Sequence, residues 1–173
     1  MKINIKRPNF AEYQKEFLYN PSRFTVTEAS TKAGKTFAHI FWIFERAHEP
    51  WNKVGKYPAY KVNESNLMIT CPNGVNIHFK SADKPDNLFG EDVYSVVFDE
   101  APRAKVDAYY ALRSTITATK GTMKLIGNFG GTSNWMHLLK EKSKTDKEYA
   151  YFKVTAWDAV AAGILDEEEI LQA

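Results

Sequence analysis

Residues 29–36 read Ala29-Ser30-Thr31-Lys32-Ala33-Gly34-Lys35-Thr36, and no other stretch restricts the fold as tightly. Before it, residues 24–28 (FTVTE) show the β-branched alternation of a strand. After it, residues 35–49 place Phe37, Ile40, Phe41 and Phe44 at helical spacing, and Pro50 stops the run. A strand that turns through Gly-Lys-Thr directly into a helix has the layout of a phosphate-binding loop.

Each residue type in that loop has a physical task. Gly34 lets backbone N–H groups crowd around phosphate oxygens, and Lys35 supplies a point charge for β- and γ-phosphates. The Thr36 hydroxyl is a hard oxygen ligand for Mg2+. The helix that starts here turns its positive end to the anion. The predicted ligands are therefore ATP and Mg2+. Ala29 stands where the pattern has its first glycine, which costs backbone freedom but removes no ligand. Lys32 has two open readings, a γ-phosphate contact or a solvated cation. The bland alternative for the whole loop is a chance Gly-Lys-Thr at a strand–helix corner.

The rest of the chain alternates strands and helices. Residues 52–66 read as an extended loop, and 67–71 with 75–80 flank Pro72-Asn73-Gly74 as a hairpin. Residues 94–98 (YSVVF) read as a central strand covered on both faces. Residues 105–119 and 134–144 read as helices, 123–126 and 149–156 as strands, and 167–171 as a final helical turn. The fold expected is α/β, a P-loop NTPase of the ASCE type, with a mainly parallel central sheet flanked by helices on both faces. In such sheets ligands sit at the carboxyl ends of strands, and three loops leave apolar strands there: 29–34, 99–103 and 127–133.

Those loops hold the other candidates. Asp99-Glu100 ends the strand 94–98, so Asp99 is placed to support Mg2+ and Glu100 to poise water for attack on the γ-phosphate. A surface turn before Pro102 is the alternative. Asn128, after Gly127, offers an amide to the γ-phosphate or the attacking water, or belongs to a glycine-rich turn of Gly127, Gly130 and Gly131. Tyr13-Gln14 suits adenine through a stacking ring and a bidentate amide, or is part of a helix surface. Arg113, on a stripe with Val106, Tyr109 and Ile116, pairs with the acidic strand end, reaches phosphate, or snorkels at the rim.

Bulk properties close off other classes. The 173 residues suit one domain, with 44% hydrophobic and 14% aromatic residues. The net charge of +2 gives no chain-wide basic field, so any nucleic-acid contact must be local. Cys71 is the single cysteine, and His39, His48, His78 and His137 lack ligand-like spacing, which argues against a zinc site. Residues 1–7 carry no secretory pattern, and the apolar stretch 37–44 is far too short to span a bilayer.

The sequence resembles the ATPase domain of the large terminase subunit of tailed bacteriophages, the viral DNA-packaging motor. The most specific stretch is 81–103, SADKPDNLFGEDVYSVVFDEAPR, followed by 111–121 (ALRSTITATKG) and 124–128 (KLIGN). The resemblance runs from about Tyr13 to the end. It implies that Gln14 reads adenine, that Lys35 and Thr36 bind phosphate and Mg2+, and that Asp99 supports the metal. Glu100 would be the catalytic carboxylate, and Gly127 with Asn128 would couple γ-phosphate loss to movement. It further implies double-stranded viral DNA, a portal protein and a small terminase subunit as partners. A homo-oligomeric ring, monomeric when isolated, and the cytoplasm of the bacterial host complete the implied setting. Many members carry an arginine, proposed to act on the neighbouring subunit's ATP, where this sequence has Phe89. Arg103, Arg113 and Lys84 are then the candidate trans cations. Residues 1–156 would form the ATPase core and 157–173 the start of a lid or linker, with the family's nuclease domain not represented. A small-molecule P-loop kinase and a nucleotide-gated assembly module without hydrolysis are the competing readings. The adjacent Asp99-Glu100 pair favours attack by water over the kinase.

Overall fold

The computed structural model describes residues 8–48, 59–130 and 132–171. The expected stop at Pro50, the first part of the loop 52–66, residues 1–7 and Gly131 lie outside those residues. In chain order the elements are α1 (Glu12–Tyr19), β1 (Phe24–Ala29), α2 (Lys35–Ala47), β2 (Lys61–Asn63), β3 (Met68–Thr70), β4 (Asn76–His78) and β5 (Ser95–Phe98). They continue with α3 (Val106–Thr115), β6 (Thr122–Gly127), α4 (Met136–Lys142), β7 (Tyr149–Val154), α5 (Ala156–Ala161) and α6 (Glu167–Leu171). Short 3-10 turns occupy Pro85–Leu88 and Ala101–Arg103.

Four strands form one parallel sheet in the order β5-β6-β1-β7. Period-two alternation splits their side chains between two cores. Phe24, Val26, Val96, Phe98, Met123, Leu125 and Tyr149 face Ala108, Tyr109 and Ala111 of α3 and Met136 and Leu139 of α4. On the other face Ala29 and Val154 pack with Phe17 and Leu18 of α1 and Ala38 and Trp42 of α2, joined by Ala159 of α5. The sheet is thus covered by helices on both faces, as the sequence pattern predicts. Residues after 156 also fold against this second core, through Ala159 and Leu165.

Three expectations need correction. The strand 94–98 is not central. β5 borders the described sheet, with Val96 and Phe98 in one core and Val97 against the other. Two covered faces produce a continuous apolar run whether or not both edges are paired. Within the expected loop 52–66, residues Lys61–Asn63 pair with β3, so the hairpin of β3 and β4 becomes a three-stranded antiparallel sheet. Three exposed residues carry no periodicity from which to read a strand. Finally, the strand 149–156 ends at Val154, because Thr155 starts α5: its hydroxyl accepts from Asp158 N, and the Asp158 carboxylate accepts from Thr155 N at 2.7 Å.

Candidate active site

Parallel pairing brings the three site loops to one sheet edge. Glu28 of β1 lies opposite Gly127 of β6, and Phe98 of β5 lies opposite Leu125. Residues 29–36, 99–103 and 127 onward therefore leave the sheet side by side.

The loop 29–36 departs from β1 in extended backbone at Ala29, a strand residue where a Cβ is welcome. That is why the missing first glycine costs little. The left-handed positions fall later, at Lys32 (φ 62°) and Gly34 (φ 68°). Gly34 is the residue before α2, and a Cβ there would approach Gln14 Nε2 to 2.8 Å. Lys32 adopts the same region at a cost of about 1–2 kcal/mol, a strain typical of ligand-binding loops.

Lys35 is buried at the start of α2, its Nζ 3.4 Å from the Ser30 carbonyl and 3.7 Å from Glu100 Oε1. Thr36 donates its hydroxyl to Asp99 Oδ2 at 2.8 Å, a direct link between the loop and the acidic strand end. Asp99 Oδ1 accepts from Glu100 N at 2.9 Å. Glu100 itself sits at φ 48°, a left-handed conformation that costs a non-glycine residue about 1–3 kcal/mol. Its second oxygen lies 3.5 Å from Arg103 Nε, and the Arg103 side chain is 84% exposed. The carboxylate is therefore fixed between a buried cation and an exposed one.

The remaining candidates divide. Asn128 is exposed at the same edge, just past Gly127. Gln14 is buried beneath the loop: its Oε1 accepts from Ala11 N at 2.9 Å, and its Nε2 donates to Gly34 O at 3.3 Å. Arg113 is a correction. Its guanidinium lies 5.5 Å from the ring of Phe24, the first residue of β1. That is the opposite end of the sheet, about 16 Å from Ala29 at 3.3 Å per strand residue. There it lines a cleft with Arg23, Thr117, Lys120 and Glu148, and an internal phosphate contact is ruled out by distance. The apolar stripe of α3 predicted an arginine at the core rim but not which rim. Of the trans candidates, Arg103 is at the site, Lys84 precedes the turn Pro85–Leu88, and Phe89 is exposed after it.

Further contacts support these residues. Tyr13 donates its hydroxyl to Ala33 O at 3.0 Å, and burial raises its pKa. Asn134 Nδ2 donates to Pro102 O and Trp135 Nε1 to Ala104 O, both at 2.9 Å, so the loop after β6 holds the segment that follows Glu100. Gly127 touches the same segment so closely that a Cβ would lie 2.2 Å from Pro102 Cδ. Under the phosphate loop, His39 is fully buried, stacked on Phe17 at 4.9 Å, with Nδ1 2.7 Å from Lys35 O. Burial pushes its pKa down to about 4, with nearby Lys124 adding to the depression while the Lys35 carbonyl and Asp99 oppose it.

No protein-family model matches the chain, and no curated protein matches its sequence. Solved structures do match. The large terminase of a thermophilic bacteriophage superposes with a TM-score of 0.74 at 14% identity, over 95% of this chain and 50% of that one. The same terminase in complex with ADP gives a TM-score of 0.66 at 16% identity, again over 95% and 50%. The chain thus spans about half the length of these structures. It has their fold, that of a P-loop NTPase. Among the described residues no helix is long and apolar enough to cross a membrane.

Proposed function

We propose that this chain is a terminase-type ATPase domain that hydrolyses Mg-ATP to drive double-stranded viral DNA into a procapsid. The contact of Thr36 Oγ1 with Asp99 Oδ2 carries this reading, because it joins the phosphate loop to the acidic strand end as one site. The fold shared with the thermophilic phage terminase, one structure of which is a complex with ADP, supports it.

The chemistry follows from the placements. Backbone N–H groups around Gly34 and the N-terminus of α2 receive the phosphates. Lys35 is held by the Ser30 carbonyl and pairs with Glu100, so a single ammonium serves the β- and γ-phosphates and orients the base. The Thr36 hydroxyl and the Asp99 carboxylate are adjacent hard oxygen ligands, a donor set that fits Mg2+, which takes one or two carboxylates plus phosphate oxygens. Magnesium, when bound, neutralises charge on the phosphates. Glu100 accepts the proton of the attacking water, and Asn128 contacts the γ-phosphate or that water. Gln14 is the proposed adenine reader, and its amide is bonded to Ala11 N and Gly34 O beneath the loop. Residues 157–173 begin a lid or linker.

The partners proposed are double-stranded DNA, a portal protein and a small terminase subunit, with the subunits forming a ring on the portal in the host cytoplasm. Steady-state ATPase measurement of the wild type and Glu100→Gln, with and without DNA, tests the reading. Wild-type turnover that Glu100→Gln abolishes supports it. Equal, negligible turnover in both proteins would instead mark a nucleotide-gated module without hydrolysis.

A further inference from the structure

The geometry points to Lys124 as a positioning residue for the nucleotide site: it pegs α1 to the sheet, and α1 in turn holds the phosphate loop. This rests on the nucleotide-binding reading above, and it assigns a task to a buried cation which that reading leaves unused.

Lys124 lies in the middle of β6 and is only 2% exposed. Among the described residues it has no carboxylate partner. Its Nζ donates to Phe17 O at 3.0 Å, Thr25 Oγ1 at 3.0 Å and Asn20 O at 3.4 Å, and stands 5.2 Å from the Trp42 ring. A lone buried amine is costly, and burial, with Arg46 nearby, pushes its pKa down to about 7. Such a group persists where its donors answer a specific need, and the sequence shows the need. In a continuing helix, Phe17 C=O would accept from the residue four positions on. That residue is Pro21, which has no N–H. Lys124 supplies the donor that Pro21 lacks, at the negative end of α1.

The other end of α1 is the loop clamp. Tyr13 Oη donates to Ala33 O at 3.0 Å and Gln14 Nε2 to Gly34 O at 3.3 Å. Gly34 O also accepts from Ala38 N at 3.1 Å as the first helical carbonyl of α2, so the clamp braces the junction between loop and helix. α1 has eight residues, too few to be a stable helix alone, so its position depends on these end contacts and on Phe17 and Leu18 in the core. The chain of dependence runs from β6 through Lys124 and α1 to the loop. β6 is also the strand that ends in Gly127, with Asn128 next.

Lys124→Met keeps the length and the apolar fit and removes the donors. Binding of Mg-ADP is measured by calorimetry well below the melting temperature, beside hydrogen exchange of the amides in α1 and residues 30–36. The expected result is about tenfold weaker binding with saturated turnover nearly unchanged, and faster exchange in both segments. Tyr13→Phe, which removes one clamp bond and no buried charge, should weaken binding in the wild type and have less effect in the Lys124→Met background, because both act through α1. Lower thermal stability with unchanged affinity and unchanged exchange at 30–36 would make Lys124 merely structural and overturn the inference. If the wild type binds no nucleotide, the ATPase reading falls. The exchange comparison then decides alone, with faster exchange at 30–36 in the variant sustaining the peg and unchanged exchange refuting it.

Discussion

Gly127→Ala tests how tightly the end of β6 holds the loop that carries Glu100. The added methyl would lie 2.2 Å from Pro102 Cδ and 2.6 Å from Pro102 Cγ, against ordinary contact at 3.4 Å or more. Relief requires a shift of about 1.2 Å, the difference between 3.4 and 2.2 Å. Pro102 is a rigid ring, and its carbonyl is tied to Asn134, so it cannot yield by rotating a side chain. The shift is therefore passed back through Ala101 to Glu100. Overpacking of this kind costs about 1–3 kcal/mol in stability, or a few degrees in melting temperature for each kcal/mol. The catalytic cost is larger, because a misplacement of about 1 Å loses on the order of 10²-fold in rate. Steady-state hydrolysis at saturating Mg-ATP should therefore fall about a hundredfold, while calorimetric affinity for Mg-ADP, set by the loop 29–36, changes by less than about threefold. Wild-type turnover in a folded Gly127→Ala protein would show that Glu100 does not depend on this contact.

Other expectations follow from the same geometry. Lys35→Ala should abolish nucleotide binding in calorimetry and leave circular dichroism unchanged, since Lys35 contacts the loop and Glu100 and not the apolar core. Glu100→Gln should bind Mg-ATP normally and lose about 10²–10⁴-fold in turnover, the usual cost of removing a positioned acid–base group. His39 has a folded pKa of about 4 against 6.5 for the free side chain, so the unfolded state takes up the proton first. Its share of stability is then full above pH 6.5 and lost as pH falls towards 4, on the order of 3 kcal/mol. Urea unfolding across that range should slope less steeply for His39→Gln, and an unchanged slope would remove His39 as the cause. Assembly with partner proteins and DNA should raise turnover at least about tenfold over the isolated domain, because an arginine supplied from a neighbour can contribute on the order of 10³–10⁵. Arg103, exposed beside Glu100, is the donor to delete, and ring subunits without it should slow their neighbours.

The motifs were legible because their chemistry is local. Gly34-Lys35-Thr36 and Asp99-Glu100 are short runs, and the strands beneath them have plain periodicity. The 2.8 Å contact between Thr36 and Asp99 realises the pairing that each motif predicts of the other. What escaped was decided across the sheet. Arg113 lies on an apolar stripe in sequence, but only the packing of α3 on the sheet shows that its neighbour is Phe24, at the far end of β1 from Ala29. Gln14 reads as a base-binding amide, but its bonds to Ala11 N and Gly34 O depend on where α1 packs. Lys124 in KLIGN is in sequence one polar residue interrupting an apolar strand, and nothing short of the fold reveals that Pro21 creates the need for it. The left-handed backbone at Glu100 has no compositional signature either, since the residue is neither glycine nor asparagine.

The strand order has a mechanical consequence. β6 is hydrogen-bonded on one side to the strand that feeds the phosphate loop and on the other to the strand that ends before Asp99. Neither neighbour can slide along it without breaking several ladder bonds at once. The sheet edge is therefore an anvil, the stationary member against which anything else must act. On the proposed ATPase reading, any movement that accompanies loss of the γ-phosphate has to be taken up beyond residues 29, 98 and 127. On that reading a displacement would begin past Gly127, on the way to Trp135, which is fastened to Ala104. Inserting a residue or two before Asn134 should leave the described strands in place and slacken the tether, and on the proposed reading hydrolysis should then be uncoupled from movement.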